Sequence, residues 1–388
     1  MDNLTVTDVA DGEALVGLVG LHAKDGALRA AIARRHGIDV HALDEHRRLQ
    51  RTPCYQLDYS RDDLDQNTLR DQKTLRQLIR IPGRNYDRLL AIRHSGRAEL
   101  IDPELGTIIA HRDVTDWGGG RSLAAAAGAA EDNADSALAT IIVNRAGGAR
   151  LYACRIGDAE IEPGQAEPLN LPEVAALDLA RDDDIGYRLL IGLKQPGPAQ
   201  VYYLDADGRI HAKHWLRIHG AGITSACLVD DCAITGERSG LIACTPLNPR
   251  AQPAHPRWIE GLDGAVNALT GFHFDHEPHV LAGAESGELC LLRIRDGQQI
   301  WSRRLVDPIR RLVTQIHGDQ GYLLALNRGR RVHLFEAVAP DTRRQALRHA
   351  QDYLNQNPRS AGRQSAGRAD QGIPRPVREP KDSGECAA

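Results

Sequence analysis

The feature that most constrains this chain is a repeat. An apolar run, a short polar turn ending at Gly and a second apolar run recur seven times. The copies read ALVGLVGLHAKDGALRAAI around Gly26, LLAIRHSGRAELID around Gly96, TIIVNRAGGARLYAC around Gly147 and LLIGLKQPGPAQVYYLD around Gly197. CAITGERSGLIACTP at Gly240, VLAGAESGELCLLRI at Gly287 and LLALNRGRRVHLFEA at Gly329 complete the series. From Gly96 onward the copies stand 42 to 51 residues apart, whereas Gly26 to Gly96 is 70 and implies an insertion. Each copy has the pattern of a β-hairpin, and flanking segments extend it. Between Val174 and Ile218 lie four strand-like runs, VAALDLARD, YRLLIGLKQ, AQVYYLDADG and RIHAKHWLRI, and the same order returns between Ala265 and Leu305.

Four strands in a unit of about 40 to 50 residues make the blade of a β-propeller. A leucine-rich solenoid repeats at shorter intervals, and a helical array shows a 3.6-residue period instead of short runs. The predicted fold is therefore all-β, a seven-bladed propeller of four antiparallel strands per blade over residues 1–338, or six-bladed if the first copy is decorative. The polar insertion covers residues 46–73, in which Tyr55, Leu57 and Tyr59 alternate as a short strand would. Residues 115–136, rich in Gly, Ala and Asp, read as a loop or short helix. The last copy, Ile309 to Val338, offers three strands. Leu4 to Val9 is the natural fourth, unless it begins the first blade. Residues 341–357 read as a C-terminal helix capped by Asp341 or Thr342, and residues 358–388 as a disordered tail.

The best copy runs Val280-Leu-Ala-Gly-Ala-Glu-Ser-Gly-Glu-Leu and continues through Asp296-Gly297-Gln-Gln-Ile-Trp301. It resembles the blades of the WD-repeat and quinoprotein-dehydrogenase-like propeller superfamily. The resemblance implies that Trp301, at the end of Gly-x-x-x-Trp, packs between neighbouring blades. Neither a Trp-Asp nor a Gly-His dipeptide occurs, so the usual WD-repeat signature is absent.

Composition adds exclusions. The 388 residues are 42% hydrophobic and 26% charged, an ordinary globular balance, and no stretch has the length of a membrane span. Met1 to Val9 lacks the basic and apolar regions of a secretory signal, and seven scattered Cys form no framework. A cytoplasmic protein with reduced thiols is expected. His273, Asp275, His276, Glu277 and His279 are metal-like residue types, but their spacing fits a solvated loop. On a strand His211 and His214 point to opposite faces, with Trp215 expected inward. Cys227, Cys232, Cys244 and Cys290 lie in apolar runs as buried thiols. Gly118 to Ser122 lacks the phosphate-loop Lys, Asp182 to Asp184 reads as an acidic turn, and no Gly-x-Ser-x-Gly occurs. No catalytic residue, cofactor or metal is assigned.

The remaining candidates are basic. Residues 303–331 hold Arg303, Arg304, Arg310, Arg311, Arg328, Arg330 and Arg331 against Asp307 and Asp319, and Arg343, Arg344 and Arg348 follow. Leu347, Ala350 and Leu354 form an apolar stripe on the expected helix. The expected function is a non-enzymatic scaffold that binds other proteins in a cytoplasmic complex. The alternatives are an enzyme with a site in the central channel, or a nucleic-acid-binding subunit using residues 303–348. The net charge of −4 and an aromatic content of 4% disfavour nucleic acid, and no membrane partner is expected.

Overall fold

Each unit opens on a large aliphatic residue, and that residue begins the strand nearest the axis of a ring. In a computed structural model of the chain, the described residues run from Asp2 to Val338. They exclude residues 9–14, 44–48, 51, 59–74, 84, 94–95, 114–122, 134–135, 146–147, 217–219, 248–254, 275, 318–319 and 329–330. They form seven four-stranded antiparallel sheets, a seven-bladed β-propeller, with no helix among them. The expected helix at 341–357 and the tail at 358–388 lie outside the described residues.

The first strand, β1 (Asp2–Asp8), belongs to the last blade. Blade A holds β2 (Leu15–His22), β3 (Leu28–Arg34), β4 (Gly37–Ala42) and β5 (Tyr55–Asp58). Blade B holds β6 (Leu75–Ile81), β7 (Arg88–Arg93), β8 (Arg97–Asp102) and β9 (Thr107–Asp113). Blade C comprises β10 (Leu123–Asn133), β11 (Ser136–Arg145), β12 (Gly148–Ile156) and β13 (Ile161–Pro168). Blade D comprises β14 (Val174–Asp182), β15 (Gly186–Leu193), β16 (Gln200–Leu204) and β17 (Ile210–Trp215). Blade E follows with β18 (Ile223–Val229), β19 (Cys232–Glu237), β20 (Leu241–Pro246) and β21 (Trp258–Gly261). Blade F has β22 (Val266–Phe274), β23 (Glu277–Ala284), β24 (Glu288–Arg293) and β25 (Gln299–Arg304). Blade G has β26 (Ile309–His317), β27 (Gln320–Asn327) and β28 (Arg331–Val338), and β1 pairs with β28 as its outer strand. The two ends of the ring are thus sewn into one sheet.

The innermost strand of every blade carries a register shift near its start, as between Leu75 and Gln77, Val174 and Ala176, or Ile309 and Arg311. An extra residue at that point increases the local twist, which turns each sheet toward the axis. The hydrophobic core is correspondingly divided. Seven clusters fill the seven seams between blades, such as Ile92 and Leu100 of blade B against Ile141 and Tyr152 of blade C.

Two sequence readings need correction. Gly96, Gly197, Gly240 and Gly287 lie between the second and third strands of their blades, but Gly26 lies between the first and second of blade A. The first repeat is therefore shifted by one hairpin, because β2 is as apolar as the second strands elsewhere. The Ala-rich segment is neither loop nor helix over Leu123–Asn133: it is β10, an innermost strand. Small side chains suit that position, since a Cβ on Gly128 would already touch Leu177 of the next blade. The short strand expected around Tyr55 is present as β5.

Large aromatic side chains lock neighbouring blades. Trp301 of blade F meets Phe335 of blade G edge to face, with ring centroids 5.5 Å apart. Trp258 of blade E donates its indole N–H to the Ile294 carbonyl of blade F at 2.7 Å. It packs on Gly297, whose φ of 75° and close approach to the ring both exclude a side chain. Gly106 of blade B, with φ of 72°, receives Tyr55 of blade A in the same way.

Three consecutive blades also carry buried polar pairs at one equivalent place, joining the last residue of the second strand to the third residue of the third. Arg34 pairs with Asp39 at 2.8 Å in blade A, and Arg93 with Glu99 at 2.7 Å in blade B. In blade G, Asn327 lies 3.2 Å from His333 and donates to Asp307 at 3.3 Å. Burial lowers the pKa of His333, and the charges of Arg331 and Arg303 add to the effect. Blade F places Ala284 and Cys290 there instead, so the polar pairs are not required by the fold.

Two outcomes are expected. Removing residues 1–9 uncovers the β28 edge, so thermal unfolding should occur at lower temperature and light scattering should report aggregation. An unchanged melt would show that β1 is dispensable. Glu99 is 2% exposed and Arg93 9%. Glu99→Ala should destabilise the fold by about 3–5 kcal/mol in denaturant titrations, because it removes the buried carboxylate that pairs with Arg93 and Arg97.

Candidate functional site

Antiparallel pairing decides which charges meet. The end of the ring at which the innermost strands start is here called the upper face. The outer strand β25 ends there with Arg303 and Arg304, β26 starts there with Arg310 and Arg311, and the turn from β27 to β28 places Arg328 and Arg331 there. All six described candidate arginines therefore share the upper end of two adjacent blades, F and G. Arg330, Arg343, Arg344, Leu347, Arg348 and Leu354 lie outside the described residues.

The six differ in surroundings. Arg304 pairs with Asp263 at 2.8 Å, and Arg328 approaches Glu285 at 3.9 Å. Both pairs are exposed and worth at most about 1 kcal/mol each. Arg303 lies over the Phe335 ring, 5.9 Å from its centroid. Arg310 and Arg311 make no hydrogen bond or ion pair among the described residues.

Arg311 belongs to a second feature, the axial channel. The innermost strands enclose a cavity of about 550 Å³, lined mainly by small and polar side chains such as Thr224, Asn267 and Thr270. Arg80 lines it from blade B, its guanidinium 2.8 Å from Asp87. Asp178 lines it from blade D and accepts N–H bonds from Leu228 at 2.8 Å and Leu179 at 3.0 Å. Burial pushes the Asp178 carboxyl up to about 6, against the lowering effect of those two N–H groups. Sequence reading missed Arg80 and Asp178, which stand far apart in the chain and line one cavity only because the ring closes.

The other sequence candidates are resolved individually. His273 of blade F lies 2.7 Å from Asp230 of blade E, while His279 bonds the Glu277 carbonyl and packs on Phe272. Among the described residues no group of three or more His, Cys, Asp or Glu is placed to hold a metal ion, and Asp275 lies outside them. His214 packs inward on Tyr203, with centroids 4.9 Å apart, whereas Trp215 is exposed under Lys213. This inverts the expected orientation, because Ile210, Ala212 and His214 share the inner parity of β17. Cys227, Cys232, Cys244 and Cys290 are buried free thiols. Burial pushes Cys290 up to about 12. Asp182 forms the acidic turn, accepting the N–H of Asp184 and Ile185 and pairing with Arg188.

The Asp178 carboxyl is expected to titrate near pH 6, as followed by carboxyl-carbon NMR. Its pKa in the folded chain lies above its ordinary 3.8, so its stabilising contribution is complete below that pH and is lost as the pH rises through 6. The melting-temperature difference between wild type and Asp178→Ala should shrink over the same interval. A difference that stays constant would show that Asp178 ionises normally.

No protein-family model matches the sequence, and no curated protein matches it. Solved structures do share its architecture. BBS1N, crystallised in complex with ARL6DN and soaked with mercury, superposes with a TM-score of 0.62 at 10% identity, over 87% of this chain and 96% of that one. The same complex soaked with lead gives 0.61 at 10% identity, over 87% and 97%. The computationally designed Ika8 protein gives 0.52 at 12% identity, over 86% and 99%. At such identities the likeness establishes the β-propeller fold and nothing finer.

Proposed function

We propose that this propeller is a non-enzymatic scaffold in a cytoplasmic complex, and that the upper face of blades F and G receives an acidic protein surface. The observation that carries this reading is the convergence of six arginines from three chain segments onto adjacent blade ends. Long-range attraction from such a cluster accelerates encounter and orients the partner. The similar propeller BBS1N is itself crystallised with a protein partner. Seven scattered Cys without a framework suit a reducing compartment. No helix among the described residues is long and apolar enough to cross a membrane. Kinship with the WD-repeat and quinoprotein-dehydrogenase-like blades belongs to the same proposal, supported by the packing of Trp301 against the next blade.

The test is co-purification of the tagged full-length protein from its native cell, with and without nuclease. Protein partners should survive nuclease treatment, and their yield should fall about tenfold or more in Arg304→Glu/Arg328→Glu, which reverses two exposed charges. The double variant should melt within about 2 °C of wild type, since exposed pairs contribute little. Partners lost on nuclease treatment would point to nucleic acid. Partners retained by the double variant would overturn the proposed face.

A further inference from the structure

We infer that the upper mouth of the axial channel is a binding site for a small multivalent oxyanion, a phosphate or a polycarboxylate, held by Arg311 with Arg310 and Arg76 around it. This goes beyond the protein-binding reading and does not depend on it. Arg311 is the third residue of β26 and lines the 550 Å³ cavity. It is solvent-accessible from the channel. A guanidinium offers five N–H donors. Among the described residues, none of those on Arg311 is used.

The charges that act on it, those of Arg76 and Arg310, have the same sign. Arg310 precedes it on β26, and Arg76 stands at the corresponding upper end of β6, on the far side of blade A. Burial, Arg76 and Arg310 all push the Arg311 pKa below its ordinary value. Asp178 is the only carboxylate among the described lining residues. It sits across the ring in blade D and already holds two backbone N–H groups. An anion at the mouth relieves this repulsion and supplies the missing acceptors.

The cavity dimensions define the ligand class. A volume of 550 Å³ lies within the range of about 300–1,000 Å³ typical of small-molecule sites, so a folded domain does not enter it. The described lining contains no aromatic ring on which a nucleobase stacks. Asn267 and Thr224, at the same height on neighbouring innermost strands, have their donors committed, Asn267 to Glu285 and the Ile309 carbonyl and Thr224 to the Val266 carbonyl, so Arg311 is the donor left for a ligand.

The test uses the full-length protein with sodium pyrophosphate and, separately, sodium citrate, at ionic strength held constant with chloride. Calorimetric titration should show saturable binding of one equivalent of at least one probe, accompanied by a rise in melting temperature. Binding of pyrophosphate alone identifies phosphate chemistry, and binding of citrate alone identifies carboxylate chemistry. Arg311→Gln should weaken that binding by about tenfold or more, while Arg304→Gln/Arg328→Gln should change it by less than about twofold. In chloride alone Arg311→Gln should melt no lower than wild type, because it removes an uncompensated charge; this also shows that the variant folds. Three results would overturn the inference: no saturation with either probe, full affinity in Arg311→Gln, or affinity that follows Arg304 and Arg328.

Discussion

Every sheet of this protein is buried on both faces, and that constraint organises the rest. Alternate residues of the second and third strands serve opposite seams: Val280 and Ala282 face blade E, while Leu281 faces blade G. No blade can bury both faces alone, so each depends on two neighbours, and the series is satisfied only when it closes. Completion of blade G by β1 follows from this requirement. A missing outer strand there would leave one unpaired edge in an otherwise closed ring.

The same constraint explains what the sequence discloses. Strands buried on both sides read as continuous apolar runs, such as LLAIR in β7 or VLAGA in β23, and the repeat is visible through them. Outer strands have one solvated face and short, varied sequences, as in the mostly exposed β9 and β25, so the fourth strands carry little signal. Blade A was misaligned for the opposite reason. Its innermost strand is so apolar that a first hairpin resembled a second one. Leu123–Asn133 was obscure because Ala and Gly suit both a helix or loop and a crowded inner strand. The arginines of residues 303–331 were legible as a cluster because one linker and one turn bring them together locally. Arg76, Arg80 and Asp178 were not, since only ring closure brings them to the same channel as Arg311.

Chemically the ring is asymmetric. Blades G, A and B carry Asn327–His333, Arg34–Asp39 and Arg93–Glu99 at equivalent positions, where blade F has Ala284 and Cys290. Arg310, Arg311 and Arg76 lie on the innermost strands of two of these blades. A closed propeller is indifferent to which blade carries a given polar residue. Placing these three pairs on consecutive blades gives a rotationally regular scaffold one distinguishable side.

The pairing of β1 with β28 has a consequence for biosynthesis. Of the strands of this ring, β1 is made first and is the last to find its partner, because β28 emerges only after all the other blades have been made. Until then β1 has no sheet to join, while the blades between can form from contacts close in sequence. The step that completes the ring is therefore a long-range one, the slowest kind of contact to make. Once made, it ties the first strand of the ring to the last, so force applied at either end of the ring meets the same latch.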